Sequence, residues 1–315
     1  MLSKLIDPIY LPFSSEQLLE HFAPVRGEIS DSKRHLKHYL GSASRYIEFL
    51  ANNPDRRGIT LKDAKYSCQI EKDERFWGVT CLMNFYHNLE RLNYLSQLMT
   101  KFYGDVPPIT GIDTWQECFE GDLHLFFEVN LPSPRSYKQW LAENIESRQI
   151  IPYIQYASLK RGSHKVRTGL EGPTHVDAML INEDNGFAIL FEAKVLSDTS
   201  YMVSFDTMRN QIIRNIDVML DKHPELPEPL CHRDPERTLF VLLTPQIFRD
   251  NPHSRLYGLL MNEYQENPTA VQRDLPHRER SDWPDISRRM SWLTWEDFEQ
   301  VLPGTCPWLS EDPLD

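Results

Sequence analysis

Two apolar runs, HVDAMLIN (175–182) and GFAILFEAKV (186–195), are joined by a polar turn that ends in Asn185-Gly186. Asn-Gly between runs rich in Ile, Leu, Phe and Val is a strong short-range signal for a β-hairpin. Whatever else the chain forms, it must cover the apolar faces of these strands. Each run also carries charge that a core strand does not need. Asp177 sits in the first, and Glu192 and Lys194 sit in the second. Residues two apart on a strand share a face, so Glu192 and Lys194 point the same way. Hairpin pairing brings Asp177 beside Glu192. Two carboxylates held together repel, and burial raises the cost. A cation removes that penalty. Hard oxygen ligands from one or two carboxylates suit Mg²⁺. A neighbouring lysine can hold an attacking water or offset developing negative charge.

The surrounding sequence extends this picture. MNFYHNLERLNYLSQLMTKF (83–102) has apolar residues at helical spacing and ends before Gly104 and Pro107-Pro108. HLFFEVNL (124–131) reads as a short strand, and the prolines of PSPRS (132–136) mark a boundary. A helix is expected over 137–148, with Tyr137, Trp140, Leu141 and Ile145 on one side. A strand is expected over 149–159 despite Pro152, followed by a loop. After the hairpin come a helix over 204–222, a Pro-rich loop HPELPEP and a strand RTLFVLLTPQIF (237–248). Residues 252–315 read as a helical tail. The expected layout is a mostly helical region 1–135, an α/β (α+β) core 136–250 with a mixed central sheet, and a helical extension 251–315.

Asp177 followed by Glu192-Ala193-Lys194 on the next strand resembles the D…(D/E)xK signature of the PD-(D/E)xK nuclease superfamily, the restriction-endonuclease-like fold. Pro173 stands where that family's loosely placed proline would lie. The expected helix, three strands, helix and strand over about 137–248 match its αβββαβ core. The resemblance implies that Asp177 and Glu192 bind Mg²⁺, with Mn²⁺ able to substitute, helped by the Ala193 carbonyl. It implies that Lys194 serves the nucleophilic water. It also implies a glutamine on the following helix near the site, for which Gln211 is the candidate. Asn215 stands where the QxxxY pattern has tyrosine. Asn210, Arg214, Asp217 and Asp221 form the polar stripe of that helix. The acid that many members carry on the first core helix would be Glu143, but it points away from the apolar stripe and is left unassigned. His175 would share Asp177's face as a packed or hydrogen-bonded neighbour.

The activity implied is metal-dependent hydrolysis of phosphodiester bonds, with DNA as the expected substrate and RNA as the alternative. A restriction or anti-phage role follows by analogy alone. A homodimer is a common form for such nucleases, and a partner subunit is the other arrangement. The rival class is a non-cleaving interaction subunit of the same fold in a defence or repair complex. The loop KRGSHKVR concentrates Lys160, Arg161, Lys165 and Arg167 without an acid, which suits a phosphate backbone. The formal net charge of −12 disfavours nucleic-acid binding by the whole surface. Arg278, Arg280, Arg288 and Arg289 are interleaved with acids and are expected in salt bridges, and Trp283, Trp292 and Trp295 in the core. The five cysteines are widely spaced with no CxxC pair, which fits a reducing cytosol rather than a disulfide framework or a zinc site. No apolar run suggests a signal peptide or a membrane span, so a cytoplasmic protein without a membrane partner is expected. P-loop, GxGxxG, GxSxG and HExxH motifs are absent.

Overall fold

The computed structural model describes residues 13, 15–22, 74–160, 170–200, 205–280, 282–306 and 309; of 157–160 it describes the backbone alone. Arg161, Lys165 and Arg167 lie outside the described residues, as does the Lys160 side chain. The chain is a mixed α/β protein with a five-stranded mixed sheet and 13 α-helices among the described residues. None of these helices is long and apolar enough to cross a membrane.

In chain order, α1 (Ser15–His21), α2 (Glu74–Tyr86), α3 (Arg91–Tyr103) and α4 (Trp115–Phe119) precede β1 (Leu123–Leu131). Three helices follow: α5 (Arg135–Glu143), α6 (Ile145–Arg148) and α7 (Pro152–Lys160). The hairpin is β2 (Thr174–Asn182) and β3 (Ala188–Ala193), and α8 (Gln211–Met219) leads to β4 (Thr238–Thr244). The chain ends with α9 (Gln246–Asp250), α10 (Leu256–Glu266), α11 (Pro268–Asp274), α12 (Trp283–Arg288), β5 (Met290–Thr294) and α13 (Trp295–Val301). The strands lie in the order β1-β2-β3-β4-β5. β1, β2 and β3 are antiparallel, while β3, β4 and β5 are parallel. The parallel step from β3 to β4 needs a long crossover, which α8 supplies.

Helices cover both faces of the sheet. Leu125, Leu180, Ile189, Val241 and Leu293 join a core that includes α1–α4 and α13. Met179, Leu190, Phe240, Leu242 and Trp292 join a second core with α8 and α10–α12. β3 and β4 are therefore buried along their whole length, as strands between two helical layers must be. The hairpin turn closes with Gly186 at φ 74°, and a Cβ there would stand 2.9 Å from the His232 carbonyl oxygen. Only glycine meets both demands.

Several expectations are corrected. Residues 149–159 contain no strand. Pro152 opens α7, because proline's fixed φ and missing N–H suit the first helical turn. Ile150 and Tyr153 are exposed there, so no sheet buries this run. The third strand of the meander is β1 instead, on the other side of α5–α7. The tail 252–315 is not all helical, since it supplies β5. The sheet thus draws strands from all three expected regions and crosses both expected boundaries. The helix expected over 83–102 is broken at 87–90, where Asn88 Oδ1 accepts the Glu90 N–H at 2.8 Å. The helix expected over 137–148 is likewise divided at Asn144. The helix expected over 204–222 runs only from Gln211 to Met219, since the Asn210 side chain caps it by accepting from Ile213 N–H. The strand after it stops at Thr244, before Pro245, and α9 follows.

The two-residue rhythm of the meander breaks at one place. Leu123, Leu125 and Phe127 join one core, whereas Val129 and Leu131 join the other. Glu128, between them, has φ 58°, which side-chain-bearing residues rarely adopt. On β2 the change falls at Asp177, between Val176 and Ala178.

Candidate metal centre and active site

Regular pairing of β2 with β3 ends at Ala178 and Phe191, so Asp177 and Glu192 are the next residues outward. Asp177 crosses the gap: its Oδ2 accepts the Ala193 N–H at 2.8 Å. Glu192 is 1% exposed, and both of its oxygens are used. Oε2 accepts from Asn215 Nδ2 at 2.9 Å, and Oε1 accepts from the Lys194 ammonium. Lys194 Nζ also donates to the Ala193 carbonyl at 3.0 Å. The Lys194 backbone is pinned on both sides, with its N–H on the Leu243 carbonyl (2.8 Å) and its carbonyl accepting from Trp295 Nε1 (3.3 Å).

Two further carboxylates enter from outside the hairpin. Glu74, in the first turn of α2, places Oε2 3.8 Å from Lys194 Nζ, while its Oε1 accepts from Ser197 Oγ. Glu128, the strained residue of β1, lies opposite Asp177 between the pairs Phe127–Ala178 and Val129–Val176. Its carboxylate meets His175 Nε2 at 2.9 Å. Glu74, Glu128 and Asp177 line one cavity between α2 and the sheet, walled by Val79, Phe127 and Phe191.

The charges act on one another. Burial and then the Glu192 charge raise the Asp177 carboxyl well above the usual carboxylate range, against the pull of Lys194 and the Ala193 N–H. For Lys194, burial opposes the charge, but Glu192, Asp177 and Glu74 outweigh it and keep the ammonium charged. For His175, burial likewise opposes the charge and the Glu128 carboxylate outweighs it, so its value rises.

The structure therefore brings together Asp177, Glu192, Ala193 and Lys194. Gln211 is not among them; its Oε1 lies 3.5 Å from the Ser200 N–H. The amide that reaches Glu192 is Asn215, one helical turn later, and its Oδ1 is buried without a partner among the described residues. Asp217, expected in a polar stripe, is fully buried and ringed by Arg209, His277 and Arg278. The Arg209 guanidinium first, then the hydrogen bond with His277 and the Arg278 charge, overcome burial and hold its carboxyl far below the usual range. Glu143 is exposed and paired with Gln139. The Pro173 carbonyl accepts from Arg214 at 3.1 Å. Arg278 meets Asp217, Arg280 meets Glu236 and Asp282, and Arg288 meets Asp285, while Arg289 turns to the Pro235 and Thr238 carbonyls. Trp283, Trp292 and Trp295 are buried.

Glu74 and Glu128 escaped the sequence reading for different reasons. An acid in the first turn of a helix is ordinary, so Glu74 carries no signal of its own. Glu128 did carry one, as the only charge in the apolar strand FFEVNL.

The oxygens of Asp177, Glu192, Glu74 and the Ala193 carbonyl are hard donors; Glu192 and Glu74 ion-pair with the Lys194 ammonium, and the Asp177 charge acts on it through space. That donor set and charge imbalance fit a divalent metal of the Mg²⁺ or Mn²⁺ type. A second cluster, Asp122, His124 and Glu183, lies at the other end of β1 and β2, with ligand atoms within 4.8 Å of one another. Compared with family models, with curated proteins and with solved structures, the chain matches none.

Proposed function

We propose that the chain is a metal-dependent nuclease that hydrolyses DNA phosphodiester bonds at the Asp177–Glu192–Lys194 centre. One observation carries the reading. The hairpin β2–β3 and the sequence-remote helix α2 bring carboxylates to a single buried lysine: Glu192 and Glu74 ion-pair with it, and Asp177 acts on it through space. A purely structural ion pair needs one carboxylate, and the surplus makes Asp177 unfavourable as an anion. Further support comes from topology. With α3–α4 set aside before β1 and α5–α7 set aside between β1 and β2, the elements α2, β1, β2, β3, α8 and β4 follow the αβββαβ order that the resemblance implies, with Glu74 on the leading helix.

A bound Mg²⁺ would supply Lewis acidity toward the phosphate and a more acidic water. Asp177 and Glu192 would hold it with the Ala193 carbonyl. The Ala193 N–H fixes the Asp177 rotamer, and Asn215 fixes that of Glu192. Lys194 would orient the attacking water and offset charge that develops on the phosphate. The segment of Lys160, Arg161, Lys165 and Arg167 is the proposed contact for the phosphate backbone, supported by sequence alone.

The test is cleavage of circular and linear duplex DNA, with a single-stranded RNA control, in Mg²⁺ or Mn²⁺. Loss of the circular form by the wild type, abolished in Glu192→Gln and Lys194→Ala, is the expected result. If folded protein leaves every substrate intact, or the variants cut as well as the wild type, the proposal is wrong and the interaction subunit becomes the better reading.

A further inference from the structure

The position of the Lys194 ammonium has a consequence beyond nuclease chemistry. It is bonded to Glu192 Oε1 and to the Ala193 carbonyl, two of the oxygens assigned above to a metal. The other oxygen of Glu192 is held by Asn215 Nδ2, whose amide is anchored in turn on the Gln211 carbonyl at 3.1 Å. Glu192 is buried on all sides, so it cannot turn to offer a fresh face. The ammonium and a divalent ion therefore compete for the same donors. An ammonium has three N–H donors, and two are engaged here. The next acceptor is Glu74 Oε2, at 3.8 Å. A shift of about 1 Å would bring Nζ to hydrogen-bond distance of it. Glu74 is already aimed, because Ser197 Oγ holds its other oxygen.

We propose that Lys194 is a resident counter-cation of the Glu192 and Ala193 oxygens that yields them to a divalent metal by moving onto Glu74. The inference rests on the metal-site reading. It makes metal binding an exchange of cations: Lys194 compensates the Glu192 carboxylate at low metal and passes to Glu74 when a divalent ion takes its place. Glu74 is then a landing site for the lysine, acting on metal affinity through Lys194.

The test is a double-mutant cycle on Mn²⁺ binding, read by calorimetric titration and by the thermal midpoint in EDTA and in Mn²⁺. Lys194→Met and Lys194→Gln both remove the competing cation; the glutamine form retains a polar group should the methionine form not fold. The expected result has two parts. Either variant binds Mn²⁺ about tenfold more tightly than the wild type and gains more thermal stability from it. Glu74→Gln weakens Mn²⁺ binding about tenfold with Lys194 present, and several-fold less in the Lys194→Gln background. Unchanged or weaker Mn²⁺ binding in the lysine variants would overturn the exchange. An equal effect of Glu74→Gln in both backgrounds would make Glu74 a plain metal ligand and overturn the landing role. A wild type that gains nothing from Mn²⁺ or Mg²⁺ would remove the metal site itself, a failure distinct from the other two.

Discussion

Acid should loosen α8, the helix that carries Asn215, through a single histidine. His223 follows the C-terminal end of this helix and is 3% exposed. Arg233 closes the same end, donating to the carbonyls of Val218 (3.0 Å), Met219 (2.8 Å) and Asp221. The His223 ring bonds the Val218 backbone, and its Nε2 is buried without a partner among the described residues. Burial first, and then the Arg233 charge, push the imidazole down from 6.5 to about 4. The folded state thus binds fewer protons than the unfolded state between those values. Stability is complete above 6.5, falls as pH drops, and levels off below about 4. For this histidine alone the loss is about 2 kcal/mol at pH 5, approaching about 3 kcal/mol at its limit.

Other groups titrate too. Burial also lowers His21 and His87, which adds to the acid loss. The raised Asp177 carboxyl acts with the opposite sign, since protonating it relieves strain. The measurement must therefore be a difference. Urea unfolding of the wild type and of His223→Gln is followed from pH 7.5 to pH 4.5. The gap between the two curves should shift by about 2 kcal/mol in favour of the variant between pH 7.5 and pH 5. Parallel curves, or a His223 ring that titrates near its ordinary value by NMR, would refute the reasoning.

Three more predictions concern the centre and its frame. Asp177→Asn keeps an acceptor for the Ala193 N–H and removes a carboxylate held beside Glu192. Without added metal it should melt higher than the wild type, by about 0.5–2 kcal/mol in unfolding free energy. It should also lose the metal-dependent gain of about 2.7 kcal/mol expected at 100 times the dissociation constant; thermal melts in EDTA and in Mg²⁺ check both. Asn215→Ala frees the Glu192 carboxylate and should cost about 10–100-fold in Mn²⁺ affinity or cleavage rate, measured by titration and initial rates. Thr294→Ala removes the capping box of α13, in which Thr294 Oγ1 accepts from Asp297 N–H at 3.2 Å. It should cost about 1 kcal/mol by urea unfolding and leave cleavage unchanged, which separates frame from centre.

What the sequence made legible follows from how locally each feature is determined. The hairpin could be read because its turn and both strands lie within 21 residues, and the paired charges came with it. The strand read over 149–159 was misjudged because burial, not β-propensity, decides such runs, and the exposed Ile150 and Tyr153 have no sheet to join. β5 was missed for the converse reason: MSWLT is a strand only because β4 lies beside it, paired over five positions. Glu74 stands 103 positions before Asp177, so only tertiary structure could unite them. Glu128 is the instructive case. The criterion that singled out Asp177 and Glu192, a carboxylate inside an apolar strand, applies to it equally. It was passed over because its strand was assigned to a different region. The chain holds Glu128 in a left-handed conformation beside Asp177, which non-glycine residues adopt at a cost of about 1–2 kcal/mol. Such strain persists only where the surrounding structure enforces it. Here the sheet changes face at that point, so that the carboxylate of Glu128 meets His175 and reaches the cavity that Glu74 and Asp177 share.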